Sequence, residues 1–282
     1  MATFYNQATL SYNGGVTASN VTEGELVEVL SASKIAISAE YTAGGTVAYA
    51  ISIVNSGTTP ITAATITDNL GGYPLGGGTV YPLEYVDGSI RLLINGVEVA
   101  APTVSAGPPM TVSGINIPAG ASAVILYEAA VTEFAPLAPD STITNTAVIE
   151  GSCPGAVTVS ATVAVRDDVS LTIAKAICPD TVVCGDQLTY TFIIQNTGNT
   201  AAVATDNVIL TDVFDPALSD ITVTLNGATL PAGAYTYNEA TGEFATAVGT
   251  ITVPAATYTT DPETGAVITA PGVTVLTVTG TV

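Results

Sequence analysis

Two lysines occupy matching positions in a chain that has almost no other basic residue. The 282-residue sequence contains only Lys34, Lys175, Arg91 and Arg166 as basic side chains, and it has no histidine. A lysine is most often a solvated surface charge, but a matched pair in so acidic a chain indicates chemistry. If it is buried, a lysine loses its proton because desolvation disfavours the ammonium form, and the neutral amine is a nucleophile.

An asparagine and an acid are available to each lysine, and the three together are the components of a self-formed isopeptide bond. The amine attacks the asparagine carbonyl, a neighbouring carboxyl polarises that carbonyl and shuttles protons, and ammonia leaves. The predicted groups are Lys34, Asn145 and Asp68 in the first half, and Lys175, Asp212 and Asn6 in the second. A second interpretation uses Asn55 and Asn196 as the amides, although their loop-opening positions are typical of turns.

The two lysines mark an internal repeat. When Lys34 is aligned with Lys175, Asn55 falls on Asn196, since both gaps are 21 residues (55 − 34 and 196 − 175). The strands that follow end in TITD at 65–68 and ILTD at 209–212, which aligns the two aspartates. The chain is therefore interpreted as a tandem duplication.

The residues around these positions have the sequence pattern of short β-strands. The segments 46–55 (TVAYAISIVN) and 187–196 (QLTYTFIIQN) alternate apolar and polar residues with the period of a half-buried strand. Asn-Gly turns recur at 13–14, 95–96 and 226–227. This pattern predicts an all-β protein made of two tandem immunoglobulin-like antiparallel β-sandwiches.

The second copy is predicted to lack a closing strand. Residues 140–151 close the first copy and contain Asn145, whereas the sequence stops at Val282 without a counterpart of 132–151. Asn6-Gln7-Ala8 instead resembles Asn145-Thr146-Ala147. We therefore expect a donor strand with its connecting hairpin at 1–24, a first sandwich at 25–151 and an incomplete second sandwich at 152–282.

This arrangement predicts donor-strand complementation, in which the N-terminal strand of one subunit completes the second sandwich of its neighbour. Such a head-to-tail contact does not close on itself and generates a homopolymeric fibre. The isopeptide bond from Lys175 to Asn6 would then join neighbouring subunits covalently. The alternative is that residues 1–13 fold back within their own chain.

Residues 171–212 and the closing ITNTAVIEG motif resemble the bacterial conserved-repeat domain family of unknown function, found in long surface proteins. The resemblance implies immunoglobulin-like sandwiches in surface adhesins and stalks, and small two-copy members look like subunits of spore appendages. The chain departs from the family pattern at 38–45, which lacks a proline, and at its closing asparagine, which must come from Asn6. An extracellular location, on a cell or spore surface, is the expectation, although residues 1–15 show no signal peptide.

Composition excludes several other classes of function. A net charge of −20 repels nucleic acids and anionic membranes, and no apolar run is long enough to span a bilayer. Without histidine there is no Ser-His-Asp catalysis, so no enzyme and no cofactor are expected. The alternatives are a monomeric cell-surface adhesin or carbohydrate-binding stalk module and, more remotely, a glycosidase that uses paired carboxylates.

Two further residue groups leave alternatives open. The odd cysteine count allows a Cys178–Cys184 bridge or a thiol for another subunit, and Cys153 lies between the two copies. Four acids at 206–220 have the oxygen ligands that calcium prefers, but they do not match a DxDxDG loop, and a solvated acidic rim is the preferred interpretation. These acids are Asp206, Asp212, Asp215 and Asp220.

Overall fold

A computed structural model describes residues 2–26, 29–152 and 155–282, and these residues are almost entirely β-strand and loop. Helical structure in the described ranges is limited to two 3-10 turns, Ala204–Asp206 and Ala232–Ala234, neither of which could cross a membrane. In the described ranges the central strands pair antiparallel, as the alternating sequence pattern predicts. The all-β prediction is confirmed.

The chain divides into two units, one built from residues up to Thr132 with Ile143–Val163, the other from Glu133–Thr142 with Ala164–Val282. The first unit therefore extends beyond the boundary at 151 that the sequence suggested. The physical reason is a strand after that boundary, Val157–Val165, which pairs with the strand before it and belongs to the same sheet.

The N-terminal segment forms a long two-part hairpin with exposed side chains. Its strands are β1 (Ala2–Asn6), β2 (Thr9–Tyr12), β3 (Gly15–Ala18) and β4 (Thr22–Leu26). Strand β1 pairs with β4 and β2 with β3, and in the described part of the chain none of the four pairs with another strand. Its exposed apolar side chains are Phe4, Tyr5, Leu10, Tyr12, Val16 and Val21.

The first sandwich contains two six-stranded sheets. The strands are β5 (Leu30–Ala36), β6 (Glu40–Tyr41), β7 (Thr46–Asn55), β8 (Ile61–Asp68), β9 (Tyr73–Leu75), β10 (Gly78–Val80), β11 (Leu83–Tyr85), β12 (Arg91–Ile94), β13 (Val97–Val99), β14 (Thr103–Ser105), β15 (Met110–Ile117), β16 (Ser122–Val131), β17 (Thr142–Glu150) and β18 (Val157–Val165). The sheet with order β13-β12-β16-β7-β5, to which β11 adds, faces the sheet with order β14-β15-β8-β17-β18-β6.

The core of this sandwich follows from strict alternation along its central strands. Strand β7 coincides with the predicted segment 46–55 and turns Val47, Tyr49, Ile51 and Ile53 inward, all fully buried. Strand β17 alternates in the same way, and its inward row consists of Ile143, Asn145, Ala147 and Ile149. One of these inward positions is thus polar, which requires polar partners within the core.

The second unit has a large sheet, a small sheet and a separate two-stranded pair. The strands are β19 (Leu171–Cys178), β20 (Gln187–Asn196), β21 (Thr211–Val213), β22 (Ser219–Leu225), β23 (Ala228–Thr229), β24 (Tyr235–Tyr237), β25 (Glu243–Thr246), β26 (Thr257–Thr260), β27 (Val267–Ala270) and β28 (Gly272–Thr281). The large sheet has the order β19-β20-β28-β22-β23, the small sheet has the order β21-β25-β24, and β26 pairs with β27.

The predicted Asn-Gly turns are confirmed by the backbone. Asn95 and Gly96 have φ angles of 50° and 79°, and Asn226 and Gly227 have 50° and 81°. Two consecutive residues with positive φ make the tight hairpin turns that match strand twist, and asparagine and glycine tolerate them best. These turns join β12 to β13 and β22 to β23 at equivalent places in the two units.

Candidate functional site

Lys34 and Asp68 form a fully buried ion pair in the core of the first sandwich. Lys34 projects from β5 and Asp68 from the last position of β8 in the facing sheet, and Lys34 Nζ lies 2.7 Å from Asp68 Oδ2. Both side chains have an exposed fraction of 0%. Because removing two charges from water is costly, such a pair is weak evidence for stability and better evidence for a specific role.

Asp68 accepts two further hydrogen bonds. The Tyr127 hydroxyl donates to the same Oδ2 atom at 2.5 Å, and the backbone N–H of Leu70 donates to Oδ1 at 3.0 Å. Tyr127 comes from β16, where it turns inward beside Tyr49 with the two rings stacked 5.5 Å apart. The carboxylate is thus held in place from three directions.

Asn145 reaches this cluster from β17, which pairs with β8 so that Ala147 lies opposite Asp68. Its side chain is completely buried, and Nδ2 donates a hydrogen bond to the Tyr127 hydroxyl at 3.1 Å. Its Oδ1 atom and the Tyr49 hydroxyl are buried without a hydrogen-bond partner. Buried polar atoms without partners destabilise the fold by about 1–3 kcal/mol each, so this cluster lowers the stability of the first sandwich.

The structure changes one detail of the predicted mechanism. The sequence suggested that the carboxyl of Asp68 would polarise the Asn145 carbonyl directly. Instead, Asn145 Oδ1 accepts no hydrogen bond, and Asp68 is connected to the amide through the hydroxyl of Tyr127. A tyrosine therefore lies between the acid and the amide nitrogen.

Burial lowers the pKa of Lys34 from 10.5 to about 8, and the neighbouring Asp68 carboxylate only partly opposes that shift. The rings of Tyr49 and Tyr127 lie 5.0 and 5.9 Å from Nζ and contribute to the apolar surroundings. The same burial raises the pKa of Tyr127 well above its ordinary value, and Asp68 raises it further. Burial therefore makes the Lys34 proton easier to lose and keeps the phenol protonated, and the neutral amine is the form that attacks an amide.

Lys175 and Asp212 occupy the equivalent positions in the second unit but are less enclosed. Lys175 Nζ lies 2.5 Å from Asp212 Oδ2, without the angles of a hydrogen bond, and the side chains are 41% and 19% exposed. The ammonium lies 4.5 Å from the ring of Tyr190, which is the counterpart of Tyr49. The same pair of groups is thus assembled in a half-open environment.

Asn6 lies in the N-terminal hairpin, where its side chain is exposed and Thr22 is its partner across β1 and β4. Thr22 Oγ1 donates to the backbone carbonyl of Asn6 at 3.2 Å. The amide of Asn6 is thus presented on the surface of the subunit.

The side chains of Asn55 and Asn196 hold loops in place by hydrogen bonds to backbone groups. Asn55 Nδ2 donates to the carbonyls of Thr59, Ile117 and Pro118, and its Oδ1 accepts from Gly57 N. Asn196 Nδ2 similarly donates to the carbonyls of Thr200 and Pro254, while its Oδ1 accepts from two backbone N–H groups. Both amides are fully used in holding turns together, which explains their burial without any chemistry.

The cysteines and the acids at 206–220 were the other residues singled out in the sequence. Cys178 and Cys184 are exposed free thiols, and Cys153 lies outside the described residues. Asp206 accepts a hydrogen bond from Val203 N, and Asp212 pairs with Lys175. Asp215 and Asp220 lie at exposed positions.

The sequence interpretation did not include Tyr127. The available signal was its place in the inward row of β16, where Ala123, Ile125 and Ala129 are its fully buried neighbours. A tyrosine among small and aliphatic inward residues needs a partner for its hydroxyl. That partner comes from another sheet, which the strand alone does not show.

Several solved structures are similar to this chain at low sequence identity. The major pilin subunit BcpA of Bacillus cereus is 12% identical over 95% of this chain and 73% of its own, with a TM-score of 0.37. The pilus backbone protein RrgB of Streptococcus pneumoniae is 12% identical over 90% of this chain and 49% of its own, with a TM-score of 0.35. The major pilin SpaD of Corynebacterium diphtheriae is 12% identical over 58% of this chain and 41% of its own, with a TM-score of 0.36.

The chain thus spans less than half the length of SpaD and of RrgB. No protein-family model matches the sequence, and no curated protein matches it significantly. The resemblance to the conserved-repeat family stays a prediction. The fold assignment rests on the sheet topology, and any function must rest on the geometry of the two lysine clusters.

Proposed function

We propose that the chain is a structural subunit of a self-assembling fibre at the cell or spore surface. The N-terminal hairpin of one subunit completes the second sandwich of the next, and isopeptide bonds reinforce each subunit and each junction. The observation that carries this proposal is the unequal completeness of the two sandwiches. The first has a strand beside its aspartate, whereas the second has an open edge there.

The open edge belongs to β21. In the first sandwich β8 has β15 on one side and β17 on the other, and β17 brings Asn145 into the core. In the second, β21 pairs with β25 alone among the described strands. An unpaired edge next to a core is a ready template for another strand.

The inner face of β19 is also uncovered. Leu171, Ile173 and Ile177 lie on the same face of this strand as Lys175, since the four positions are spaced two residues apart. Lys175 faces the inward rings of Tyr190 and Phe192. The three apolar side chains are nevertheless exposed, Ile173 by 59%. Because each side chain is already about half buried, covering each of them would contribute on the order of 1 kcal/mol. We call these three residues and the free edge of β21 the acceptor face.

The N-terminal hairpin has the residue pattern that the acceptor face requires. Phe4, Asn6, Ala8 and Leu10 alternate along β1 and β2 as Ile143, Asn145, Ala147 and Ile149 do along β17. Aligned on the asparagines, the hairpin would place Ala8 opposite Asp212 and Leu10 opposite Leu210. Asn6 would then enter the core beside Lys175, as Asn145 does beside Lys34.

A covalent junction follows from the same alignment. Insertion of the hairpin would remove Lys175 from water, and desolvation favours the neutral amine. Its nitrogen would form a bond to the side-chain carbon of Asn6 while the bond to the amide nitrogen breaks and ammonia leaves. The bond at the junction would thus form only after assembly, whereas the Lys34–Asn145 bond would form on folding.

Substitution of Leu10 tests the donor role. Leu10 is 64% exposed in the subunit, so Leu10→Asp should leave the subunit folded. In the junction it would bury an unpaired carboxylate at a cost of several kcal/mol, which weakens assembly on the order of 1000-fold. Light scattering and electron microscopy should show fibres for the unmodified chain and monomers for the variant.

Ser11→Asp is the matched control, because it adds the same charge at the neighbouring position. The equivalent of Ser11 in β17 is Glu150, which is exposed, so this variant should assemble normally. Normal fibres from Leu10→Asp, or an equal loss with both variants, would contradict the proposed insertion. A chain that stays monomeric without any substitution would favour the adhesin alternative.

A further inference from the structure

We propose that Tyr127 is a catalytic residue of the reaction that joins Lys34 to Asn145, passing a proton from Asp68 to the departing amide nitrogen. This inference rests on the proposed function, since it concerns how the same bond is made. It assigns a role to a residue that touches both the acid and the leaving group.

The contacts form one continuous chain across the site. Lys34 Nζ lies 2.7 Å from Asp68 Oδ2, and the Tyr127 hydroxyl lies 2.5 Å from that same oxygen. On its other side the hydroxyl lies 3.1 Å from Asn145 Nδ2, the atom that must leave as ammonia. Asp68 makes no direct hydrogen bond to the amide, so the hydroxyl is the bridge between base and leaving group.

The proton movements balance along this chain. As the bond between Lys34 Nζ and Asn145 Cγ forms, Asp68 Oδ2 takes a proton from Nζ. Tyr127 gives its proton to Nδ2, the Cγ–Nδ2 bond breaks and ammonia leaves. The proton on Asp68 then returns to the Tyr127 oxygen, which restores both groups. One hydrogen has moved from the lysine to the ammonia, and no other reactant is needed.

The environment keeps the tyrosine ready to donate. Burial and the adjacent Asp68 raise the pKa of Tyr127, so the phenol keeps its proton until the amide nitrogen becomes basic in the tetrahedral intermediate. A positioned group of this kind typically accelerates proton transfer by about 10²–10⁴-fold.

The second unit lacks this hydroxyl. Tyr49 lies opposite Tyr127 in the sheet, whereas its counterpart Tyr190 lies opposite Val278. Phe214 stacks on Tyr190 with ring centres 4.7 Å apart and so supplies a ring without a hydroxyl. The bond at the junction should therefore form more slowly after assembly than the bond within the chain forms after folding.

Tyr127→Phe tests the relay, with Tyr49→Phe as its matched control. Both variants keep the stacked rings and remove one buried hydroxyl, but it is the hydroxyl of Tyr127 that donates to the Asp68 carboxylate. Each full-length chain is synthesised and purified in urea, so that the bond has not yet formed, and is then folded by dilution; samples are quenched in acid over time, and intact mass reports the loss of one ammonia. Tyr127→Phe should react at least about 100-fold more slowly than the unmodified chain, and Tyr49→Phe at a similar rate to it.

The outcomes separate the relay from the bond itself. Equal rates for Tyr127→Phe and the unmodified chain, or equal slowing in both variants, would overturn the relay and leave the bond in place. Absence of ammonia loss from the unmodified chain would overturn the bond and the relay together. Slow but complete reaction of Tyr127→Phe would show that its lysine and asparagine still meet.

Two measurements on the unmodified chain do not depend on the folding of a variant. The rate should rise with pH and level off above about 8, because Lys34 must first lose its proton and its pKa lies there. When the rate is measured in mixtures of H2O and D2O, it should fall non-linearly with the fraction of D2O, since two protons move in the relay. A straight line would indicate a single moving proton and would overturn the role of Tyr127.

Discussion

Replacing Lys34 by Met should raise the mass of the subunit by one ammonia, beyond the change in side chain, and should strongly reduce its stability. In the bonded subunit Lys34 Nζ is an amide nitrogen beside the Asp68 carboxylate, and losing that donor costs about 1–3 kcal/mol. The chain would also lose a cross-link that closes a loop of roughly 100 residues, worth about 4–5 kcal/mol in the loop-entropy description. Intact mass spectrometry and urea unfolding of the monomer measure the two effects.

Lys175→Met is the control, because it makes the same replacement at the equivalent position of the second unit. Lys175 is 41% exposed and its ion pair is partly solvated, so the isolated subunit should lose less than about 1 kcal/mol. Its mass should change by the substitution alone. Equal stability losses from the two variants, or an unmodified chain with its full sequence mass, would contradict the proposed bond in the first sandwich.

Replacing Asn6 by Ala should leave fibres that dissolve into monomers when boiled in detergent and reductant. β-pairing and the burial of residues such as Phe4 and Leu10 would still hold the junction in buffer. Without the amide, however, Lys175 has no carbonyl to attack. Fibres of the unmodified chain should instead give a ladder of multimers on a denaturing gel.

Asn20→Ala provides the comparison for this variant. Asn20 is exposed in the same hairpin, between β3 and β4, and the proposed alignment gives it no place beside Lys175. Its fibres should give the same ladder as the unmodified chain. A ladder that persists in Asn6→Ala would assign the covalent link to a different residue.

Much of this architecture could be predicted because it depends on local pattern. The alternation in 46–55 and 187–196 gave β7 and β20 with the bounds that the structure shows. The repeat aligned the two lysines with each other and the two aspartates with each other, and the structure places each lysine within contact distance of the aspartate of its own unit. These features follow from strand periodicity and from two copies of one fold.

Other features depend on contacts between distant strands and could not be read from the sequence. The end of the first unit was placed too early because the pairing of β18 with β17 is not visible in either strand alone. Tyr127 was overlooked because its hydroxyl finds its partners, Asp68 and Asn145, only when two sheets face each other. Exposure of the inner face of β19 likewise becomes visible only in the folded unit.

Fibres grown from an equal mixture of ordinary and heavy-isotope subunits test the central claim most directly. After boiling and chymotryptic digestion, mass spectrometry would search for a peptide containing Asn6 joined to one containing Lys175, with one ammonia lost. About half of these joined peptides should pair one light with one heavy partner, since each bond links two subunits. Joined peptides that are only all-light or all-heavy, or peptides that are never joined, would contradict the proposed junction.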